Sequence, residues 1–285
     1  MDKLHQVHKL NLLNKIGTLK NDVQMSIFNE VKTAYEVYEE AFSSITVFDE
    51  NAIRTLVDAL NTYRRIAIPV FDCLDNSGQQ ALGYTIMEEF FFLFFHTYLK
   101  SEKINYPNLF LGKGNSYVSL SFTPKSFESA FKDVSPYIHS KDQDFVLGVS
   151  VDIKVESADS KSSEQTILPI VAIECKTYLE KNMLDSCANT ASRLKRAMPY
   201  CLYMVASEYM KMSEASPELT DIDEVYILCK AKNSERLLRA KQGLPPFDID
   251  SSLILDLFYR VKRHFDSIWW NPSEAVTNGK IICRP

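Results

Sequence analysis

The segment formed by residues 167–173 constrains the fold more than any other part of the chain. It is almost continuously apolar, which is typical of a β-strand buried on both faces of a helix-covered sheet. The segment ends abruptly in two charged residues, Glu174 and Lys176. Side chains two apart on a strand point to the same face, so these two groups lie together. Charges at the end of a buried strand cost free energy unless they have partners, which indicates a functional site.

A second strand is predicted just before this one, over residues 144–155. Its later half alternates between apolar and polar residues, as in a half-buried strand. A polar segment, residues 156–165, separates the two strands and is predicted to be a loop. If the strands form a hairpin that turns near residue 160, Asp144 lies across from Glu174. The sequence therefore predicts two carboxylates and one ammonium group at one end of a sheet.

This grouping suits magnesium-dependent hydrolysis of a phosphodiester. Mg²⁺ prefers carboxylate oxygens and keeps several waters, so Asp144 and Glu174 are predicted ligands, with the backbone carbonyl of Cys175 as a further one. The ion would offset charge on the phosphate and lower the pKa of its bound water. Lys176 would orient or activate the attacking water, or stabilise the transition state. We therefore expect Asp144, Glu174 and Lys176 to be catalytic.

Two other acidic-x-lysine patterns fall in a predicted helix or strand. The pattern at residues 30–32 falls in a predicted helix, where residues two apart do not face each other. The pattern at residues 152–154 belongs to the alternating part of the predicted strand, and we interpret it as the solvated face of that strand. Neither pattern is expected to be functional.

A strongly apolar helix is predicted over residues 80–100. Glu88 and Glu89 interrupt its apolar residues, so at least one of them lies near the buried side. It either reaches the metal or marks the edge of the buried face. We favour a metal role, and Glu88 over Glu89.

The remaining pattern predicts three sections along the chain. They are an N-terminal helical section (1–78), a core that carries the candidate site (79–230) and a C-terminal extension that closes on it (231–285). Pro69 and residues 76–78 favour turns and mark the end of the first section. The predicted elements are helices at 22–42, 50–67, 182–197 and 251–270, strands at 117–122, 200–206 and 224–229, and a loop at 105–116.

The charge of the chain provides arguments both against and for DNA binding. A formal net charge of −5 counts against it, because phosphate neutralisation drives that binding, although a cleft can be locally basic. Basic residues cluster at 193–196, 230–241 and 260–264, and each cluster has a solvated helix face or a helix C-terminus as its alternative. Segments 105–116, 123–143 and 230–241 are candidates for base contacts. The named DNA-binding candidates are Lys113, Asn115, Arg193, Lys195 and Arg196.

The cysteines and the N-terminus are typical of a cytoplasmic protein. The six cysteines are scattered without a C-x-x-C pair, which argues against a zinc site and a disulfide framework. No apolar signal-like stretch is present near the N-terminus, and the most apolar run, residues 90–95, is too short to span a bilayer. No membrane partner is expected.

The site and the order of the predicted elements resemble the PD-(D/E)xK nuclease superfamily, the fold of many restriction endonucleases. The order is an acidic helix, a strand, the strand that bears Asp144, the E-x-K strand, a helix and a strand. The resemblance implies an α/β fold whose restriction-endonuclease-like core is a mixed central sheet flanked by helices. Gln143 stands where the superfamily has proline, a position without a chemical role.

A closer resemblance is to the subunits of BbvCI-type restriction endonucleases. It is carried by the segments 82–95, 141–145, 171–176, 193–197, 199–203 and 268–270. It implies a type II enzyme of two related subunits, a heterodimer or heterotetramer, in which this chain is the second subunit. Each subunit would cut one strand of double-stranded DNA at a short, nearly palindromic, asymmetric site of the CCTNAGC kind. For the chain alone, the resemblance implies a homodimer.

Two alternatives stay open at this point. One is a catalytically inert DNA-binding or assembly subunit of the same fold. The other is an unrelated helical interaction protein built on the helices at 22–67 and 251–270.

Overall fold

The fold is described from a computed structural model of the chain. The structure describes residues 6–74, 78, 81–132, 136–156, 161–266 and 271–279. Several sequence predictions fall outside these residues and are not taken further: the tryptophan pair 269–270, part of the punctuation at 76–78, the centre of the loop at 157–160, and Cys283.

A five-stranded mixed sheet forms the centre of the molecule, with its strands in the order β1-β2-β3-β4-β5. Strand β2 pairs antiparallel with both β1 and β3, whereas β3, β4 and β5 run parallel to one another. This is the mixed sheet that the resemblance implied. The strands are β1 (Leu109–Phe122), β2 (Pro136–Glu156), β3 (Lys161–Leu179), β4 (Leu202–Met210) and β5 (Glu224–Lys232).

Helices cover both faces of the sheet. Within the described residues, four precede it: α1 (Val7–Thr18), α2 (Asp22–Ser44), α3 (Glu50–Phe71) and α4 (Thr85–Ser101). Helix α5 (Lys181–Ala197) connects β3 to β4, and three follow the sheet: α6 (Asn233–Lys241), α7 (Ser251–Phe265) and α8 (Pro272–Asn278). No helix among these described residues is long and apolar enough to cross a membrane.

Two hydrophobic clusters lie on opposite faces of the sheet. The larger one contains Leu12 of α1, Phe90 of α4, Phe145 of β2 and Phe258 of α7. The smaller one packs α5 against β1, β3 and β4, with Leu194 at its centre. Because the larger cluster draws on all three predicted sections, these sections share one core within the described residues.

Some predicted boundaries were wrong. The prediction did not include α1, α6 or α8, Pro69 lies inside α3, and α7 ends at Phe265 rather than at residue 270. The predicted loop at 156–165 was too long, because β3 begins at Lys161. Strand β4 begins and ends later than predicted, and β2 begins eight residues earlier, at Pro136. A tight hairpin keeps both strands paired up to Glu156 and Lys161, so polar residues continue the ladder there.

The predicted loop at 105–116 was also wrong, because β1 begins at Leu109. The glycines that suggested a loop have other roles. Gly112 adopts a φ of 123°, which favours glycine, next to an irregularity in the β1–β2 pairing. Gly114 lies where a Cβ would come within 2.6 Å of the Ile167 side chain on β3. These glycines therefore permit a bent strand that closely approaches its neighbour.

The N-terminal helices are tied to the sheet by a buried ion pair. Arg64 of α3 bonds Glu208 of β4, and their side chains are 1% and 5% exposed. Arg64 also donates to the carbonyl of Phe247 at 2.8 Å. Such a pair contributes little net stability, but removing one member leaves the other charge buried without a partner.

We expect the substitution R64M to lower the free energy of unfolding by about 3–5 kcal/mol, because Glu208 would remain charged and buried. Arg65 provides a matched control. Its ion pair with Asp248 is half exposed, so R65M should cost less than about 1 kcal/mol. Urea denaturation measures both values. Equal costs for the two variants would contradict this account of the α3–β4 contact.

Candidate active site

The β2–β3 hairpin brings Asp144 to Glu174, as the sequence predicted. The ladder runs from Glu156 opposite Lys161 to Phe145 opposite Ile173, so the next residues on the two strands are Asp144 and Glu174. Ladder pairing ends here, and the Cys175 N–H donates to Asp144 Oδ2 at 2.9 Å instead. The Asp144 side chain therefore takes over a hydrogen bond that the strand no longer provides.

Lys176 links the two carboxylates. Its Nζ lies 2.6 Å from Glu174 Oε1 and 3.4 Å from Asp144 Oδ2. Because both oxygens contact one ammonium group, they are separated by no more than these two distances combined. All three side chains are partly buried, with 18% of each carboxylate and 25% of the lysine exposed. This geometry is compatible with both carboxylates binding one ion.

A β-bulge aims a second lysine at Asp144. Gly112 pairs with Val146 and Gly114 with Gln143, so Lys113 alone faces two residues, Asp144 and Phe145. Bulges often redirect a side chain next to an active site. Lys113 Nζ lies 3.9 Å from Asp144 Oδ1, whereas Lys176 Nζ lies 3.4 Å from Oδ2.

Helix α4 directs its two adjacent glutamates, Glu88 and Glu89, to different surroundings. Glu88 Oε2 accepts from Lys113 Nζ at 3.0 Å and so joins the site. Glu89 points to the N-terminal helices, where it accepts from Tyr35 Oη at 2.5 Å and from the backbone N–H of Lys9 at 2.9 Å. The structure therefore places Glu88 near Asp144 and holds Glu89 away from it.

The five side chains form a row in which carboxylates and ammonium groups alternate. We call this row, Glu88–Lys113–Asp144–Lys176–Glu174, the charged row. Because lysines separate the acids, the described part of the chain contains no group of three or more His, Cys, Asp or Glu side chains positioned as a metal cage. The row offers carboxylate oxygens with lysines between them, which is an arrangement that can hold both a cation and a phosphate.

Burial and charge perturb the acids of the row. Burial, and then the charge of Asp144, raises the pKa of Glu88 from 4.5 to about 7, against the opposing effect of Lys113. The same two causes raise the pKa of Glu174, against the effect of Lys176. Burial alone would lower the pKa of Lys176, but Asp144 and Glu174 outweigh it and raise that pKa. Lys176 is therefore a stable cation in this environment.

The other sequence candidates lie outside the row. Asp152 and Lys154 are exposed on the alternating face of β2, as expected of a solvated strand. Asn115 is exposed on β1, and so are Arg193 and Arg196 on α5. Lys195 bonds Asp223 at 2.7 Å, and that carboxylate also accepts from the backbone N–H of Tyr203. This pairing gives Lys195 a structural role.

Lys113 was predicted to contact DNA bases from a loop, whereas the structure places it in a strand within the charged row. The glycines on both sides of it suggested a loop, which concealed its neighbourhood. The useful signal was a lysine between two glycines inside an otherwise alternating segment, because glycine within a strand is typical of a bulge.

Sequence comparison identifies the family. The model of the Bpu10I restriction endonuclease family matches residues 79–243, which is more than half of the chain. The chain belongs to this family. The matched segment contains all five members of the charged row. Membership makes the chain a type II restriction endonuclease, a hydrolase that cuts DNA, and it excludes the unrelated helical interaction protein. No curated protein matches the chain.

A comparison of folds agrees with the family. The chain is similar to a subunit in a structure titled "native BbvCI A2B2 tetramer at low resolution". The TM-score is 0.70 at 24% sequence identity, over 90% of this chain and 96% of the other. At this identity the likeness shows the fold, a restriction-endonuclease core with helices before it, and the predicted fold class is thereby confirmed.

The raised pKa of Glu88 predicts how stability depends on pH in this Bpu10I-family protein without metal. Folded Glu88 keeps a proton that the unfolded chain releases near pH 4.5. The contribution to stability is therefore complete below that pH and is lost as the pH rises through about 7. Between about pH 5 and pH 8, the unaltered chain should lose on the order of 2 kcal/mol of folding stability through Glu88. In E88Q this part of the loss should be absent.

Urea denaturation in a chelating buffer at both pH values measures this effect. The substitution E102Q, at an exposed position next to the same helix, is the control and should leave the loss unchanged. An equal loss in E88Q and the unaltered chain would show that the Glu88 environment is not as described.

Proposed function

We propose that this chain is the catalytic subunit of a magnesium-dependent type II restriction endonuclease and cuts one strand of a short asymmetric DNA site. The observation that carries the proposal is the convergence of Asp144, Glu174 and Lys176 at the end of the β2–β3 hairpin. An inert subunit of the same fold has no physical reason to hold partly buried carboxylates together. The charged row therefore favours catalysis over an assembly role.

The donors at this site fit a magnesium ion. Asp144 and Glu174 supply carboxylate oxygens, which Mg²⁺ prefers. The carbonyl of Cys175 is a further donor, because a strand residue directs its N–H and C=O to the same side and its N–H reaches Asp144. Glu88, which the sequence also predicted as a ligand, has one oxygen engaged by Lys113, so the two primary donors are the other two carboxylates. A bound ion would offset charge on the phosphate and make water more acidic.

Lys176 acts as a cation in this proposal. The charges of Asp144 and Glu174 raise its pKa, so it remains protonated and cannot take a proton from water. It donates hydrogen bonds, orients the attacking water and stabilises negative charge on the phosphate oxygens. Of the roles predicted from the sequence, orientation and charge stabilisation fit this environment, and general base catalysis does not.

A related second subunit completes the proposed enzyme. The similar fold belongs to a protein whose structure is titled a BbvCI A2B2 tetramer, an assembly of two kinds of subunit. A symmetric dimer reads a palindrome because the symmetries of protein and DNA match, whereas two unlike subunits can read an asymmetric site. We propose such an assembly here, a heterodimer or heterotetramer with one active site in each subunit and a site of the CCTNAGC kind.

The substitution D144A or K176E, assembled with the intact partner, is expected to give an enzyme that nicks one strand. Loss of a member of the site should slow cleavage of that strand by about 100-fold or more, because charge stabilisation in the transition state is lost. The measurement is the conversion of supercoiled plasmid to open-circular and linear forms, followed by mapping of the cut ends.

The substitution D152A is the matched control, since Asp152 belongs to the exposed acidic-x-lysine pattern on the same hairpin. It should leave double-strand cutting unchanged. Double-strand cutting by the D144A complex at the normal rate would exclude this site from the mechanism and would favour the inert-subunit alternative.

A further inference from the structure

The proposed function gives a role to each member of the charged row except Lys113. Its ammonium approaches Oδ1 of Asp144, whereas the ammonium of Lys176 approaches Oδ2. The Asp144 carboxylate thus has one lysine at each oxygen, and each lysine has its own glutamate, Glu88 or Glu174. On each side of Asp144 the row therefore contains one lysine and one glutamate.

The backbone is built to put Lys113 there. The bulge sets Lys113 opposite both Asp144 and Phe145, and the positive φ of Gly112 permits the turn of the strand that precedes it. A Cβ at Gly114 would come within 3 Å of the side chains of Ile167 and Phe110, so a larger residue there would require them to shift. A merely solvated lysine would need none of these features.

Glu88 holds the ammonium in place. It accepts from Lys113 at 3.0 Å, and its side chain is only 9% exposed. Helix α4 fixes Glu88 in turn, because the neighbouring Glu89 is bound by Tyr35 and by the backbone of α1. Lys113 is therefore anchored from a rigid element and is not a free surface side chain.

The formal charges of the row decide how many metal ions it suits. With every group ionised, three carboxylates and two ammonium groups leave one net negative charge. One divalent cation and one phosphodiester, which carries a single negative charge, would bring the site to neutrality. A second divalent cation would leave an excess of two positive charges and would meet the Lys113 ammonium between Glu88 and Asp144.

We propose that Lys113 serves as the second cation of this active site and makes it a site for one metal ion. The inference rests on the proposed function, since it assigns a role within the same site. In this role Lys113 occupies the space between Glu88 and Asp144 that a second ion would otherwise take. Its ammonium supplies fixed positive charge toward the scissile phosphate, and Glu88 acts as its positioning residue rather than as a metal ligand.

The test measures how many Mn²⁺ ions bind to the purified full-length chain, by isothermal titration calorimetry. The unaltered chain should bind one ion, and K113R, which keeps the positive charge, should also bind one. K113A removes the charge and opens the space, so it should bind two. K154A, at an exposed position on β2, is the matched control and should bind one. K113M serves in place of K113A if alanine destabilises the chain.

Cleavage of plasmid DNA as a function of Mn²⁺ concentration gives the second readout. The unaltered enzyme should depend on Mn²⁺ hyperbolically, whereas K113A should depend on it sigmoidally. At low Mn²⁺ concentration K113A should be slower by about 100-fold, and additional Mn²⁺ should restore much of that loss. Two ions on the unaltered chain, or one or none on K113A and K113M, would overturn the role of Lys113.

The experiment separates this inference from the function on which it rests. If D144A still binds Mn²⁺ and still cuts both strands, the proposed function fails. If D144A loses Mn²⁺ binding and its complex only nicks DNA, while K113A behaves like the unaltered chain, the proposed function survives and only the role of Lys113 is lost.

Discussion

The contacts of the Asp144 carboxylate hold the site together. This one group accepts the Cys175 N–H, contacts Lys176 through one oxygen and faces Lys113 through the other. It thereby joins three neighbouring strands at the point where ladder pairing between β2 and β3 stops. The same carboxylate therefore fixes the relative positions of the strands that carry its partners.

The hairpin half of the site could be predicted from the sequence, and the other half could not. The predicted turn position and the residue spacing indicate the register of β2 and β3, and the observed ladder brings Asp144 to Glu174 and Lys176 as expected. Lys113 depends on a bulge, which no periodicity reveals. Glu88 and Glu89 lie on a helix that is buried on nearly all sides, so no apolar face distinguished them. Only tertiary contacts show that Glu88 joins the site and that Glu89 does not.

The N-terminal helices contribute to the site through packing. They share the larger hydrophobic cluster with the sheet and with α7, and the buried pair of Arg64 and Glu208 ties them to β4. They also bind Glu89 and so fix the orientation of α4. An active site supported by such a rigid scaffold keeps its geometry before substrate arrives, which is what electrostatic catalysis requires. The net charge of the chain does not indicate what the chain binds, because the local arrangement of charges at the site determines binding.

The most direct test of the account is the anomalous diffraction signal from crystals of this chain soaked in Mn²⁺. The account predicts one peak in contact with the carboxylates of both Asp144 and Glu174. A peak elsewhere, or none at a concentration that supports cleavage, would contradict it.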